Sequence, residues 1–286
     1  MEVFKVGVEK LPAIFVDLDG TILNDDGRVD KTSARLLSQL KEGGVRVIVA
    51  TARSPLGAIE AIEGLDFDPI LVSLNGALVI DLARDEIIYE STLPNNNFKY
   101  IVETIEAAEL GRHYLALQHR NEFIIESGFM DNVDFVIPHK VGEVRNYQDL
   151  ASKLILRTES HSSSQLHHIF EARLSNHSYL STSGEEWLDF SPAKISKATG
   201  AIEAAKHYGF SISDCIAIGN DLNDLELLRA VGHGFAVANA RSKMRDDPSI
   251  LSLDSDNNSE PLLEAIERWS TRRLGAPQNL SAHPYS

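Results

Sequence analysis

The 286-residue chain has a single cysteine, Cys215, so it cannot form an internal disulfide. That excludes a disulfide-stapled secreted scaffold and fits a reducing compartment. Basic residues are also scarce: 27 Lys and Arg stand against 42 Asp and Glu, a formal charge of -15. Proteins that bind nucleic acid recognise phosphate backbones with basic residues in excess, so that class is set aside. No apolar run is long enough to span a bilayer, and no leader of charged, apolar and small residues is visible. The expectation is a cytoplasmic protein with no membrane partner. Repeats of solenoid length are missing, as are zinc-ligand spacings of the His-Glu-x-x-His or Cys-His kind. The pair His167-His168 reads as helix surface, because neighbours on a helix do not share a face. Trp187 reads as packing, and Cys215, inside an apolar strand, as an inert core thiol.

What is present is enough apolar content, 43%, for a real core, at a length that suits one large or two modest domains. Apolar strand signals near 12–17, 45–50, 69–74 and 214–218 alternate with amphipathic helices. One helix spans Lys31 to Glu42, with Leu36, Leu37 and Leu40 on one face and Gly43-Gly44 as its stop. Further helices are expected from Pro55, at 195–208, at 222–230 and from Glu260 to Ser270, with a strand at 234–237. Buried strands joined by helices of this length read as right-handed crossovers in a parallel sheet. Ligands of such sheets bind beyond the carboxyl ends of the strands.

From about Asn75 the rhythm changes. A hairpin is expected at 77–80 and 86–90, then a helix at 96–110 and strands near 113–118 and 122–126. A strand at 153–157, a helix at 163–174 and strands near 177–181 and 186–190 follow. This is an antiparallel α+β pattern inserted between two α/β halves. Residues 271–286 read as a flexible tail rich in Gly, Pro, Ser and Asn.

The most informative segment is Ala13 to Thr21, where an apolar strand ends abruptly in Asp17, Asp19 and Gly20. Side chains two apart on an extended segment point the same way, so both carboxylates should leave the strand together. Two like charges held close need a cation or a shared proton. Taken alone, the pair also reads as an Asp-Gly turn beside a capping aspartate.

Three further segments complete a pattern: Thr51-Ala52-Arg53 after the strand at 45–50, Lys197 opening a helix, and Gly219 to Asp224 after the strand at 215–218. In this order the segments resemble the DxDGT, Ser/Thr, Lys and GDxxND motifs of the haloacid dehalogenase superfamily, and the wording resembles its Cof-like branch. The resemblance covers roughly residues 12–268. It implies a doubly wound parallel-sheet core, residues 1–81 and 191–270, with an inserted α+β cap domain, residues 82–190.

It also implies a Mg²⁺-dependent phosphatase of small phosphorylated metabolites, such as sugar phosphates. Asp17 is then the nucleophile and Asp19 the general acid and base. Thr51 and Lys197 hold the transferring phosphoryl group, and Ala52, Arg53, Asn75 and Asn223 border the substrate. The metal set implied is Asp17, Asp19, Asp224 and either Asn220 or Asp221. In an acidic chain, the metal and the lysine supply the local positive charge that an anionic substrate needs. Two departures stand out: Ala52 occupies a position where the family usually has glycine, and Asn220 stands where it has the metal-binding aspartate. Two rivals share these residues, a phosphotransferase or mutase and a regulatory binding protein with a decayed metal site. The sequence carries no signature of oligomeric state.

Overall fold

In the computed structural model the described residues are 11–131, 138–183 and 185–275. The chain runs β1 (Ala13–Val16), α1 (Lys31–Glu42), β2 (Arg46–Ala50), α2 (Pro55–Ala61), β3 (Ile70–Ser73), β4 (Leu78–Asp81) and β5 (Glu86–Glu90). It continues through α3 (Asn95–Glu106), β6 (His113–His119), β7 (Glu122–Ile125), β8 (His139–Val141), β9 (Lys153–Thr158), α4 (Ser163–Leu174), β10 (Ser178–Ser183) and β11 (Trp187–Pro192). The last part is α5 (Lys197–Tyr208), β12 (Ile216–Gly219), α6 (Leu225–Ala230), β13 (His233–Ala236), α7 (Ser242–Arg245), β14 (Ile250–Ser252) and α8 (Pro261–Gly275). Two compact units divide these elements: Met1–Ile48, Gly64–Asp68 and Phe210–Ser286 form one, and Val49–Glu63 with Pro69–Gly209 the other.

The first unit carries parallel strands in the order β14-β13-β12-β1. β1 and β12 are buried along their whole length, which is why both read as unbroken apolar runs. Their register pairs Val16 with Ile218, so Asp17 and Gly219 leave the sheet side by side. α1 starts where the Asp30 carboxylate accepts the N–H groups of Thr32 and Ser33 at 2.8 and 2.9 Å. It buries Leu36, Leu37 and Leu40 and stops at Gly43, as its sequence predicts.

In the second unit the end of β2 pairs in parallel with β3, and β3, β4 and β5 continue antiparallel. A separate six-stranded sheet has the order β10-β11-β9-β6-β7-β8. It is antiparallel except for the parallel pair β7–β8. One face is packed by Phe98, Ile101 and Ile105 of α3 and Leu166 and Phe170 of α4 against Leu115, Leu117, Leu154, Leu156 and Leu188. Each such side chain contributes about 1.5–3 kcal/mol when removed from water. The other face gathers Tyr114, Ala116 and Ile155 beneath Phe129 and Trp187. Alternation along β6 and β9 sorts these residues between the two faces.

The fold is thus α/β with a parallel core. Some elements differ from expectation. The helix expected over 222–230 opens as a 3₁₀ turn, Leu222–Asp224, before α6, because the Asp224 carboxylate draws the preceding backbone tight. The last helix continues to Gly275 rather than Ser270. Of the tail expected at 271–286, residues 276–286 lie outside the described residues. The short elements β8, α7 and β14 had no periodic signal, since three or four residues are fewer than a pattern needs.

Candidate active site

In the first unit, β1 delivers Asp17 into the junction with β12. Its N–H bonds the Ile218 carbonyl at 3.1 Å, and only 5% of the residue is exposed. The Thr21 hydroxyl donates to Asp17 Oδ2 at 3.2 Å and orients the carboxylate. The chain can double back in this way because the Leu18 carbonyl accepts the N–H groups of Thr21, Ile22 and Leu23 at 3.3, 3.2 and 3.0 Å. Gly20, at φ +69°, takes the left-handed conformation that this reversal demands. Asp19 is exposed beside the buried Asp17, so the two carboxylates stand in different environments.

β12 supplies the other wall of this half. A Cβ on Gly219 would lie 2.5 Å from Asp224 Cγ, so glycine alone lets the Asp224 carboxylate sit beneath the loop. Asp224, fully buried, accepts the N–H groups of Asn220 and Asp221 on Oδ2 at 2.9 and 3.1 Å. The neighbours Asn220 and Asp221 then diverge. A Cβ on Gly20 would lie 2.2 Å from Asn220 Nδ2, so the Asn220 side chain abuts the Asp19–Gly20 peptide. Asp221 turns elsewhere, with Oδ1 accepting from Leu222 N–H at 2.7 Å and from Arg241 Nε at 3.2 Å. Asn223 belongs to the same 3₁₀ turn. The structure therefore brings Asp17, Asp19, Asn220 and Asp224 together in this half, with Asp221 directed to Arg241.

In the second unit Thr51 follows β2 and is fully buried. Its N–H bonds the Val72 carbonyl at 2.9 Å, and its hydroxyl accepts the Arg53 N–H at 3.2 Å. Ala52 and Arg53 form the turn into α2, where Arg53 Nη1 donates to the Gly57 carbonyl at 3.0 Å. Asn75 sits in a left-handed turn at φ 55°, ψ 32°, its N–H bonded to the Thr51 carbonyl at 3.0 Å. This ties the β3–β4 turn to the residue after β2. The same turn positions Lys197: a Cβ on Gly76 would come within 2.0 Å of the Ser196 carbonyl oxygen, so α5 begins directly against it. Lys197 is 1% exposed, whereas Lys194, three residues earlier, is exposed. A buried ammonium in the first turn of a helix opposes the dipole.

Cys215 is buried and its thiol is pushed up to about 12, mainly by that burial. It is an inert core group, as its strand context predicts. Trp187 packs on Phe129, ring centroids 5.5 Å apart, and His168 lies on the outer face of α4. Sequence reasoning missed Asn239, Arg241 and Asn257, which contact the site loops from more than 200 residues away or from across a turn. Only the asparagine pair Asn257-Asn258 in an acidic loop hinted at them.

Paired carboxylates stand at the end of a parallel strand, beside an Asn-Asp loop on the next strand. The chain belongs to the haloacid dehalogenase-like hydrolase family, whose model matches residues 14–259. A curated relative, the HMP-PP phosphatase of Escherichia coli O1:K1, is 24% identical over 271 residues, covering 88% of this chain and 93% of its own. Among solved structures, a phosphatase of the haloalkanoate enzyme superfamily from Bacteroides thetaiotaomicron superposes with a TM-score of 0.76 at 20% identity, covering 92% and 96%. A subclass IIB sugar phosphatase gives 0.68 at 15% identity, covering 92% of this chain and 99% of its own. These two share the fold.

The first unit offers the Asp17 and Asp19 carboxylates here, and the Asn220 side chain lies close by with Nδ2 toward Gly20. That set suits a hard divalent cation such as Mg²⁺. It carries less charge than a set with aspartate at 220. Among the described residues no group of three or more His, Cys, Asp and Glu is arranged to hold a metal ion. No described helix is long and apolar enough to cross a membrane.

Proposed function

We propose that the chain is a Mg²⁺-dependent phosphatase that hydrolyses small phosphorylated metabolites, sugar phosphates or similar monoesters, through an aspartyl-phosphate on Asp17, and that it works in the cytoplasm. The observation that carries this is the contrast at the end of β1. Asp17 is buried and oriented by the Thr21 hydroxyl, while Asp19, two residues on, is exposed. A buried, oriented carboxylate suits attack on phosphorus, and an exposed neighbour can exchange protons with leaving group and water.

In the first step an Asp17 oxygen attacks phosphorus, the ester P–O bond breaks and Asp19 gives its proton to the leaving alcohol. In the second, Asp19 takes a proton from water as that water attacks the phosphoryl group, and the Asp17 carboxylate is released. Mg²⁺, when bound, would offset the negative charge that an anionic phosphate brings to this site. Asp17, Asp19 and Asn220 would hold it, with Asp224 bracing the Asn220 backbone and Asp221 directed to Arg241. Thr51 and Lys197 are assigned the phosphoryl oxygens, and Ala52, Arg53, Asn75 and Asn223 the substrate's border. Residues 82–190 are assigned the role of a cap that selects the substrate. The names of the relatives, an HMP-PP phosphatase and a sugar phosphatase, support an organic phosphate as substrate.

Release of inorganic phosphate from a panel of phosphorylated metabolites, with Mg²⁺ and with a chelator, tests the reading. The expected result is Mg²⁺-dependent release by the wild type and none by Asp17→Asn. Phosphate appearing on a second hydroxyl instead of in solution would make the protein a phosphotransferase. The amide at Asn220, in place of a charged ligand, favours one second reading, a phosphometabolite-binding protein. Binding of panel members without turnover under any divalent metal would establish it.

A further inference from the structure

The loop after the Asp17–Asp19 pair is held by asparagines from two distant segments. Asn239, between β13 and α7, donates from Nδ2 to the Gly20 carbonyl at 2.9 Å. Asn257, between β14 and α8, donates to the buried Leu23 carbonyl at 3.2 Å and to Asp25 Oδ1 at 3.0 Å. Asn258 closes a two-way pair with Asp25, donating to Oδ2 at 3.1 Å and accepting the Asp25 N–H at 3.1 Å. The braces are linked, since Asn239 Oδ1 accepts the Asn257 N–H at 3.2 Å. Each position calls for an amide. An amide donates to a carbonyl or carboxylate and accepts an N–H at the same time, whereas an aspartate at 257 would face the Leu23 oxygen and the Asp25 carboxylate with no proton to give. The same amide donors hold the Asp25 carboxyl below the usual carboxylate range.

We infer that Asn239 and Asn257 are positioning residues that fix the peptide following Asp19, and so aim the Asp19 carboxyl at the leaving-group oxygen. Gly20 is gripped from two sides: Asn239 takes its carbonyl, and the Asn220 side chain fills the space where its Cβ would be. Asp19 is the adjoining residue. Its backbone is set by these contacts and by its bridge with Leu23, whose carbonyl Asn257 holds. Asn239 is an exposed side chain, and an exposed hydrogen bond contributes little to global stability. Its consequence is therefore local geometry.

The inference rests on the phosphatase reading, and leaving-group dependence separates the two. p-Nitrophenyl phosphate expels a weakly basic phenolate that needs no proton, whereas benzyl phosphate expels an alkoxide that does. With Mg²⁺ present, kcat/KM reports the first step alone for both probes. For Asn239→Ala and Asn257→Ala we expect kcat/KM on benzyl phosphate to fall by about tenfold to a hundredfold, the range set by general-acid catalysis. On p-nitrophenyl phosphate it should stay within about threefold. Asn239→Ser, which restores a shorter donor, should recover part of the loss. Equal losses on both esters, or none on benzyl phosphate, would overturn the inference while leaving the phosphatase standing. A wild type inactive on both esters and on the metabolite panel would overturn the phosphatase reading and this inference with it. Should Asn257→Ala not fold, the exposed Asn239→Ala variant carries the same contrast.

Discussion

The first unit and the six-stranded sheet of the second arrange their buried carboxylates differently. In the first, Asp17 and Asp224 are 5% and 0% exposed; the Thr21 hydroxyl donates to Asp17, and the N–H groups of Asn220 and Asp221 donate to Asp224. In the second, charge meets charge. Lys153 and Asp189, 6% and 1% exposed, lie 2.8 Å apart across neighbouring strands β9 and β11. Beside them the buried Arg157 pairs with Glu186 at 3.3 Å and donates to the Phe129 carbonyl at 2.6 Å. A hydroxyl or N–H donor fixes the direction of a carboxylate. A close counter-ion consumes its charge in holding a sheet together. The difference is between a carboxylate oriented at a strand end and one held by a cation between strands.

Removing the carboxylate at the centre of the first arrangement should have the largest effect. Asp17→Asn keeps the shape of the side chain and accepts the Thr21 hydroxyl still, but an amide oxygen is a poor nucleophile. Turnover should fall by well over a hundredfold, several kcal/mol in the barrier, with the thermal unfolding midpoint unmoved. A rate above about one hundredth of wild type would place the nucleophile elsewhere and erase the contrast between the units.

The converse substitution in the second unit should cost stability. Lys153→Met withdraws the ammonium beside the buried Asp189 carboxylate, and breaking a buried pair in this way costs about 3–5 kcal/mol. Urea unfolding reads the loss as a lower midpoint. The double variant Lys153→Met with Asp189→Leu should recover most of it, since a matched apolar pair is often as stable as the ion pair. A double variant as unstable as the single one would mean that these charges do more than hold strands.

Gly76 tests how the second unit places Lys197. At φ +89°, with the Ser196 carbonyl oxygen 2.0 Å from where a Cβ would stand, alanine is both strained and obstructed. The left-handed conformation alone costs about 1–2 kcal/mol, and the start of α5 must also move. Gly76→Ala should therefore lower the unfolding midpoint and reduce kcat together, whereas Gly44→Ala, at φ +80° with open space around it, should lower stability alone. Equal kcat in the two variants would detach Lys197 from the β3–β4 turn.

Much of this was legible in the sequence because the decisive signals are local. The apolar run ending in Asp17, the Leu36-Leu37-Leu40 stripe of α1 and the entry of Lys197 into α5 each declare their structure within a dozen residues. What stayed hidden depends on distant loops meeting. Nothing near Gly20 announces that Asn239 holds its carbonyl from 219 residues away, nor that Lys153 finds Asp189 across a strand pair. Periodicity reports which face of an element is buried, but not which polar side chain arrives there from elsewhere.

The subtlest expected effect concerns the choice between Asn220 and Asp221. Spacing leaves it open: Asn220 Nδ2 abuts Gly20, while the Asp221 carboxylate is engaged with Leu222 N–H and Arg241. An amide oxygen brings no formal charge to a hard cation and should bind it more weakly than a carboxylate. Asn220→Asp should therefore lower the Mg²⁺ concentration for half-maximal phosphate release, by about tenfold if the added charge is worth about 1.4 kcal/mol. Asp221→Asn should shift it by less than about threefold, because its contact with Arg241 is an exposed ion pair of small worth. The two titrations, run side by side on the same ester, decide the matter. A metal requirement unmoved by Asn220→Asp but lost with Asp221→Asn would transfer the ligand role to Asp221. It would also mean that the loop re-forms when the cation binds, with the carboxylate leaving Arg241 for the Asp17 side.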